Sequence, residues 1–164
     1  MKFLKPIVSF RKALPITFFF ALFSIFLGGL FYLAFRPKTL VVFGWIEGLG
    51  LVDEVNTLRD FFAPSLTFFP SWVIFSSPHA LWTFSLTLFL ALPFWGDVPW
   101  KSSKKIWLLI PLFISVGMEI SQIFGLKGDF DIIDLIAIFV GYGVAFGYLI
   151  VMGVFDERFH PSNY

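Results

Sequence analysis

Apolar positions in this chain come in long unbroken blocks rather than at the spacing of a soluble helix or strand. A helix rising 1.5 Å per residue needs about 20 apolar residues to cross the hydrocarbon core of a bilayer. Four segments meet that length, roughly residues 13–35, 77–95, 105–124 and 129–155. In the second, Ser77 suits an N-cap and Pro78 the first helical position. In the third, Pro111 predicts a kink. The pattern therefore predicts an all-α polytopic membrane protein, with one domain over residues 1–164 and four transmembrane helices.

Residues 37–76 do not fit that scheme. The stretch 40–52 is apolar but short, and it contains Gly44, Glu47, Gly48 and Gly50. The stretch 61–75 is aromatic but broken by Pro64 and Pro70. Neither spans a membrane, so both read as interfacial or re-entrant pieces between the first two helices. An ordered hydrophobic loop lying on the helices is the alternative.

Composition agrees with a membrane protein. Of 164 residues, 58% are hydrophobic and 14% charged, whereas soluble domains are about a quarter charged. A net charge of +1 gives no reason to expect nucleic acid, and the absence of cysteine excludes disulfides and thiolate metal sites. Lys2, Lys5, Arg11 and Lys12 precede the first apolar block. That block is too long for a signal h-region and no small-residue cleavage site follows it, so it reads as a retained helix. With four spans, Lys2, Lys5, Arg11, Lys12, Lys101, Lys104, Lys105 and Arg158 lie on one side. Only Arg36, Lys38, Arg59 and Lys127 lie on the other. The positive-inside rule then places both termini in the cytoplasm.

Candidate chemistry concentrates at residues 118–147. Spans three and four are joined by Gly125-Leu126-Lys127-Gly128, short enough to force an antiparallel hairpin. Glu119 and Asp134 are then equally far from the turn, as are Gln122 and Asp131. The two polar residues on each helix are three apart and share a face. Ser115 extends the stripe inward, and Asp129 reads as the N-cap of span four. Ionisable groups at this depth cost several kcal/mol each and need partners. Three arrangements meet that need. Glu119 and Asp134 can share a proton in a structural pair. Glu119, Asp131 and Asp134 can hold a hard cation such as Mg²⁺ or Ca²⁺, the one cofactor class the residues suggest. One carboxylate can act as a general base or proton relay.

Other residues join the picture less directly. His79, at the predicted outer start of span two, is on the side of the acidic hairpin, and Trp82 lies one turn deeper. Gly143 with Gly147, and Gly141 with Ala145, are small-residue pairs that let a neighbouring helix approach. Aromatic runs such as Phe18-Phe19-Phe20 read as lipid-facing or gap-filling. No Walker loop, HExxH or GxSxG is present.

Glu119-Ile-Ser-Gln122, then Gly128-Asp-Phe-Asp131-Ile-Ile-Asp134 and Gly141, resembles the signature of VanZ-like membrane proteins. Ser77-Pro78-His79-Ala80-Leu81-Trp82 resembles a Pro-Asp-x-Leu-Trp segment of a divergent branch, with His79 in place of Asp. Many members carry Arg where this chain has Gly128, and Asn where it has Ile138. The resemblance implies a bacterial cytoplasmic-membrane protein of a poorly characterised family. Its founding member is associated with low-level teicoplanin resistance, for which this chain carries no specific feature. The expected function is an envelope protein with an outward-facing acidic pocket lined by His79, Glu119, Gln122, Asp131 and Asp134. That pocket would bind a small polar ligand, a lipid headgroup or a cation. An enzyme acting on a lipid-linked envelope substrate, or a small secondary transporter, is the alternative.

Overall fold

The computed structural model describes residues 10–94, 106–125 and 130–154, which form helices joined by turns and short connections. The helices are α1 (Phe10–Phe35), α2 (Val41–Gly48), α3 (Val52–Phe62), α4 (Ser71–Ala91), α5 (Ile110–Ser121) and α6 (Ile132–Val151). A 3₁₀ turn, Ala63–Thr67, follows α3, and another, Gln122–Phe124, prolongs α5. The expected starts of spans three and four at Lys105 and Asp129, the ends near residues 95 and 155, and turn residues 126–128 lie outside the described residues.

Three helices are long and apolar enough to cross a membrane: Ala13–Phe35, Ser71–Ala91 and Ile132–Val151. The apolar segment Ile110–Phe124 is shorter. It is short because Pro111 stands in the first turn of α5, where a missing N–H costs nothing, instead of kinking a longer helix. Just before it the chain turns, with Leu109 N donating to Ile106 O.

Span two also differs from its expected limits. It starts at Ser71, after the extended N-cap residue Pro70, so Pro78 is interior. Pro78 cannot donate to the carbonyl of Ile74, and the Ser77 hydroxyl donates to Val73 O in the same turn. The helix survives because its walls are other helices: α4 packs along both α1 and α6, and α5 packs against α4 and α6.

Packing is inverted relative to a soluble protein. Thr17, Ser24, Ser76, Thr83, Ser85, Thr87, Glu119 and Asp134 are buried, while Phe19, Phe26, Phe113, Ile136, Phe139 and Val144 are exposed. With lipid as the solvent there is no hydrophobic drive between helices, so small and hydrogen-bonding residues fill the contacts. Ser85 donates to Ala21 O across the α1–α4 contact at 2.7 Å, and Thr17 and Tyr148 hydroxyls join α1 to α6 at 3.0 Å. Gly141 lets α6 approach α4 so closely that a Cβ there would lie 2.1 Å from Ala80 O. Gly141 and Ala145 are therefore the packing pair, whereas Gly143 and Gly147 have nothing near them. Ala13, Leu88, Leu108, Leu149 and Val154 form the apolar cluster at the end of the bundle away from Arg36.

Residues 71–76, expected in the interfacial stretch, belong to the membrane-length helix α4, and residues 37–70 form α2, α3 and the 3₁₀ turn. All are too short to span, and together they close one end of the bundle. Arg59 of α3 donates to Leu33 O and Arg36 O, both at 2.9 Å. These are carbonyls left open at the C-terminus of α1, where a cation is also favoured by the helix dipole. Its guanidinium lies over the Phe43 ring, Phe43 stacks on Tyr32, and Tyr32 stacks on Trp82 at 5.2 Å. The aromatic column fastens α2 and α3 to α1 and α4.

Candidate functional site

The polar residues converge where α1 ends, α5 ends and α6 begins, against the third turn of α4. Asp134, in the first turn of α6, accepts from Arg36 Nη2 at 3.0 Å and stands 3.1 Å from His79 Nε2. The other imidazole nitrogen, Nδ1, lies 3.9 Å from Glu119 Oε2. Glu119 accepts from Gln122 Nε2 at 3.0 Å and from the Asp131 backbone N–H at 2.9 Å. No hydrogen bond joins Glu119 to Asp134 among the described residues, because the imidazole stands between the carboxylates.

Arg36 was not foreseen in the site. Its Nη2 is within 3.0 Å of three acceptors: Phe75 O, His79 Nε2 and Asp134 Oδ2. That nitrogen carries two hydrogens, so one contact goes unmade at any instant, and the histidine tautomer selects which. With the proton on Nδ1, Nε2 accepts from Arg36. With the proton on Nε2, it donates to Asp134. The available signal was positional: Arg36 closes the first apolar block on the side of the hairpin turn, and the hairpin's acids lacked a positive partner.

The tiers expected from the hairpin take a different form. Glu119 and Asp134 are brought together, with His79 between them. Gln122 serves Glu119 on its own helix face rather than Asp131. Asp131 is the N-cap of α6, its carboxylate accepting from Ile133 N at 2.8 Å, and it is exposed. It enters the cluster through its backbone N–H only. The cap role expected for Asp129 thus belongs to Asp131, which removes the Asp131 side chain from the expected cation ligand set. Ser115 accepts from Thr83 at 2.9 Å, one turn below Glu119.

His79, Glu119 and Asp134 offer ligand atoms within 4.8 Å of one another and can in principle hold a metal ion. The ring, however, turns opposite nitrogens toward the two carboxylates. The guanidinium already donates to Asp134 and lies 2.7 Å from His79 Nε2, so it contacts two of the three candidate ligands. As built, this is a hydrogen-bonded ion network in which Arg36 takes the cation's place.

Three buried side-chain polar atoms among the described residues lack a hydrogen-bond partner: Arg36 Nε, Ser76 Oγ and Asp134 Oδ1. All belong to this cluster or abut it, the Ser76 hydroxyl standing beside the Asp134 carboxylate but outside bonding geometry. Buried unsatisfied groups are rare and costly, and they concentrate at functional sites. The cluster forms one end of a cleft of about 610 Å³ between α1 and α5, floored by α4. Below Arg36, His79, Glu119 and Gln122, its walls are Tyr32, Trp82, Leu86, Ile114 and Met118.

No protein-family model, no curated protein and no solved structure matches this chain.

Proposed function

We propose that this chain is a bacterial inner-membrane protein that binds a membrane amphiphile in the α1–α4–α5 cleft. The observation that carries this reading is the sorting of the cleft lining by depth. The ion cluster sits at the ends of two membrane-length helices, Arg36 just past α1 and Asp134 in the first turn of α6. On those two helices that is the level of lipid headgroups, with His79 set eight residues, roughly 12 Å, inside the start of α4. From His79 the lining descends α4 through Trp82 to Leu86, seven residues or roughly 10 Å inward at 1.5 Å each. Ile114 and Met118 of α5 face it with apolar side chains. A polar end of that kind continued by an apolar slot suits a head and the start of a tail.

The topology belongs to the same reading. Four crossings, with α5 as the short third one, would put both termini on the lysine-rich cytoplasmic side and the cluster outward. In support, Leu108 just before α5 packs with Ala13, Leu88 and Leu149 at the opposite end from Glu119. The VanZ-like assignment also stays a proposal. It is supported by the meeting of Glu119 and Gln122 with the N-terminus of α6 that carries Asp131 and Asp134.

Native mass spectrometry of the detergent-purified protein tests amphiphile binding. Wild type should retain or take up lipid, and Leu86→Trp with Ile114→Trp should abolish binding while the thermal midpoint is kept. Equal lipid occupancy in the filled-cleft variant would overturn the reading.

A further inference from the structure

Resting on the amphiphile-binding reading, we infer that the head accepted by the cleft is the phosphate of an anionic lipid, held by Arg36 beside His79. The residues look acidic in sequence, but the surface they present is not. Glu119 is spent on Gln122 and the Asp131 N–H, and Asp134 on Arg36 and His79. Their side chains are 0% and 4% exposed, against 19% for Arg36 and 20% for His79. A molecule entering from the cleft therefore meets the guanidinium, the imidazole and the Gln122 amide, with the carboxylates behind them.

Arg36 has donors to spare. Of its five N–H groups, those on Nη2 serve Phe75, His79 and Asp134. Nε is buried and out of a ligand's reach, but the two N–H groups of Nη1 make no hydrogen bond among the described residues. Two charge-assisted N–H donors on one unpaired nitrogen suit a phosphate, whose several oxygens can accept both at once. A hydroxyl head offers one such oxygen and an ammonium head none. The counter-charge behind Arg36 holds the guanidinium in place by Nη2 and leaves Nη1 for the ligand. The apolar walls below make the source a lipid rather than a free ion.

The test is a binding series on the full chain in neutral detergent, read by native mass spectrometry with lipids of identical acyl chains. Dioleoyl phosphatidic acid and phosphatidylglycerol should bind at least tenfold more tightly than dioleoylglycerol. Within Arg36→Gln the anionic lipids should bind no more tightly than dioleoylglycerol does to the same variant, and Arg36→Lys, which keeps the charge but has one nitrogen to divide between Asp134 and the head, should narrow the gap. Equal affinity for dioleoylglycerol in wild type would overturn the phosphate inference while leaving amphiphile binding standing. Inorganic phosphate competing as well as the lipid would overturn the lipid as its source. The wild-type series needs no variant to fold. Loss of all lipid binding would instead count against the amphiphile reading itself.

Discussion

Arg36 and Asp134 meet at 3.0 Å across nearly one hundred residues, tying the end of α1 to the first turn of α6. The contact is not a surface ion pair. Asp134 is almost fully buried, and its guanidinium partner is itself held to the Phe75 carbonyl of α4. Three helices, α1, α4 and α6, therefore share one nitrogen atom.

Removing that nitrogen should leave Asp134 charged and underpartnered. Arg36→Gln is expected to cost about 2 kcal/mol, below the figure for a fully buried pair because Arg36 is partly exposed. Asp134→Asn in the same chain should recover part of the loss. A double-mutant cycle of apparent thermal midpoints in detergent measures the coupling. Strictly additive effects would show that the two residues act independently.

Gly141 should be sensitive to alanine and Gly143 indifferent to it. At Gly141 the new Cβ would fall 2.1 Å from the Ala80 backbone carbonyl, which cannot move aside without parting α4 from α6. A loss of about 1–3 kcal/mol is expected. Gly143→Ala and Gly147→Ala meet open space and should change the midpoint little.

Asp131 can be tested as a cap. Asp131→Ala should lose about 1 kcal/mol, while Asp131→Asn, an equally good cap, should keep stability. Neither should alter lipid occupancy of the cleft. A strong binding defect in Asp131→Asn would return its carboxylate to the ligand-contacting set.

Divalent cations separate a guanidinium-filled site from a metal site. Millimolar Mg²⁺ or Ca²⁺ should leave the wild-type thermal midpoint unchanged, because Arg36 occupies the space facing His79 Nε2 and Asp134 Oδ2. Arg36→Ala opens that space, and a rise with Mn²⁺ or Zn²⁺ is expected there alone.

Gly28 governs the width of the cleft. A Cβ at that position would lie 2.6 Å from the Trp82 indole, which seats against α1 at this glycine. Gly28→Ala should push the ring toward the cleft and weaken lipid binding more than it lowers the thermal midpoint. Unchanged affinity would place Trp82 outside the binding path.

Long apolar blocks and costly acids were enough to read a helical membrane protein and to point at the end where its last two helices are joined. Those features are local: block length sets whether a helix can cross lipid, and a carboxylate in such a block demands a partner wherever it goes. Helix limits were less legible, because Pro70, Pro78 and Pro111 each fit several positions and packing selects among them. α4 keeps Pro78 in its interior, walled by α1 and α6. Which carboxylate caps α6 and which enters the cluster also depends on where the helix starts, and that moved the role from Asp129 to Asp131. The partners themselves were settled only in three dimensions. Arg36 and His79 come from helices outside the acidic hairpin, and their insertion between Glu119 and Asp134 gives a stretch that reads as acidic a guanidinium and an imidazole at the cleft. Sequence spacing fixes depth along a helix, but which face meets which neighbour is decided by close contacts such as Gly141 on Ala80 and Gly28 on Trp82.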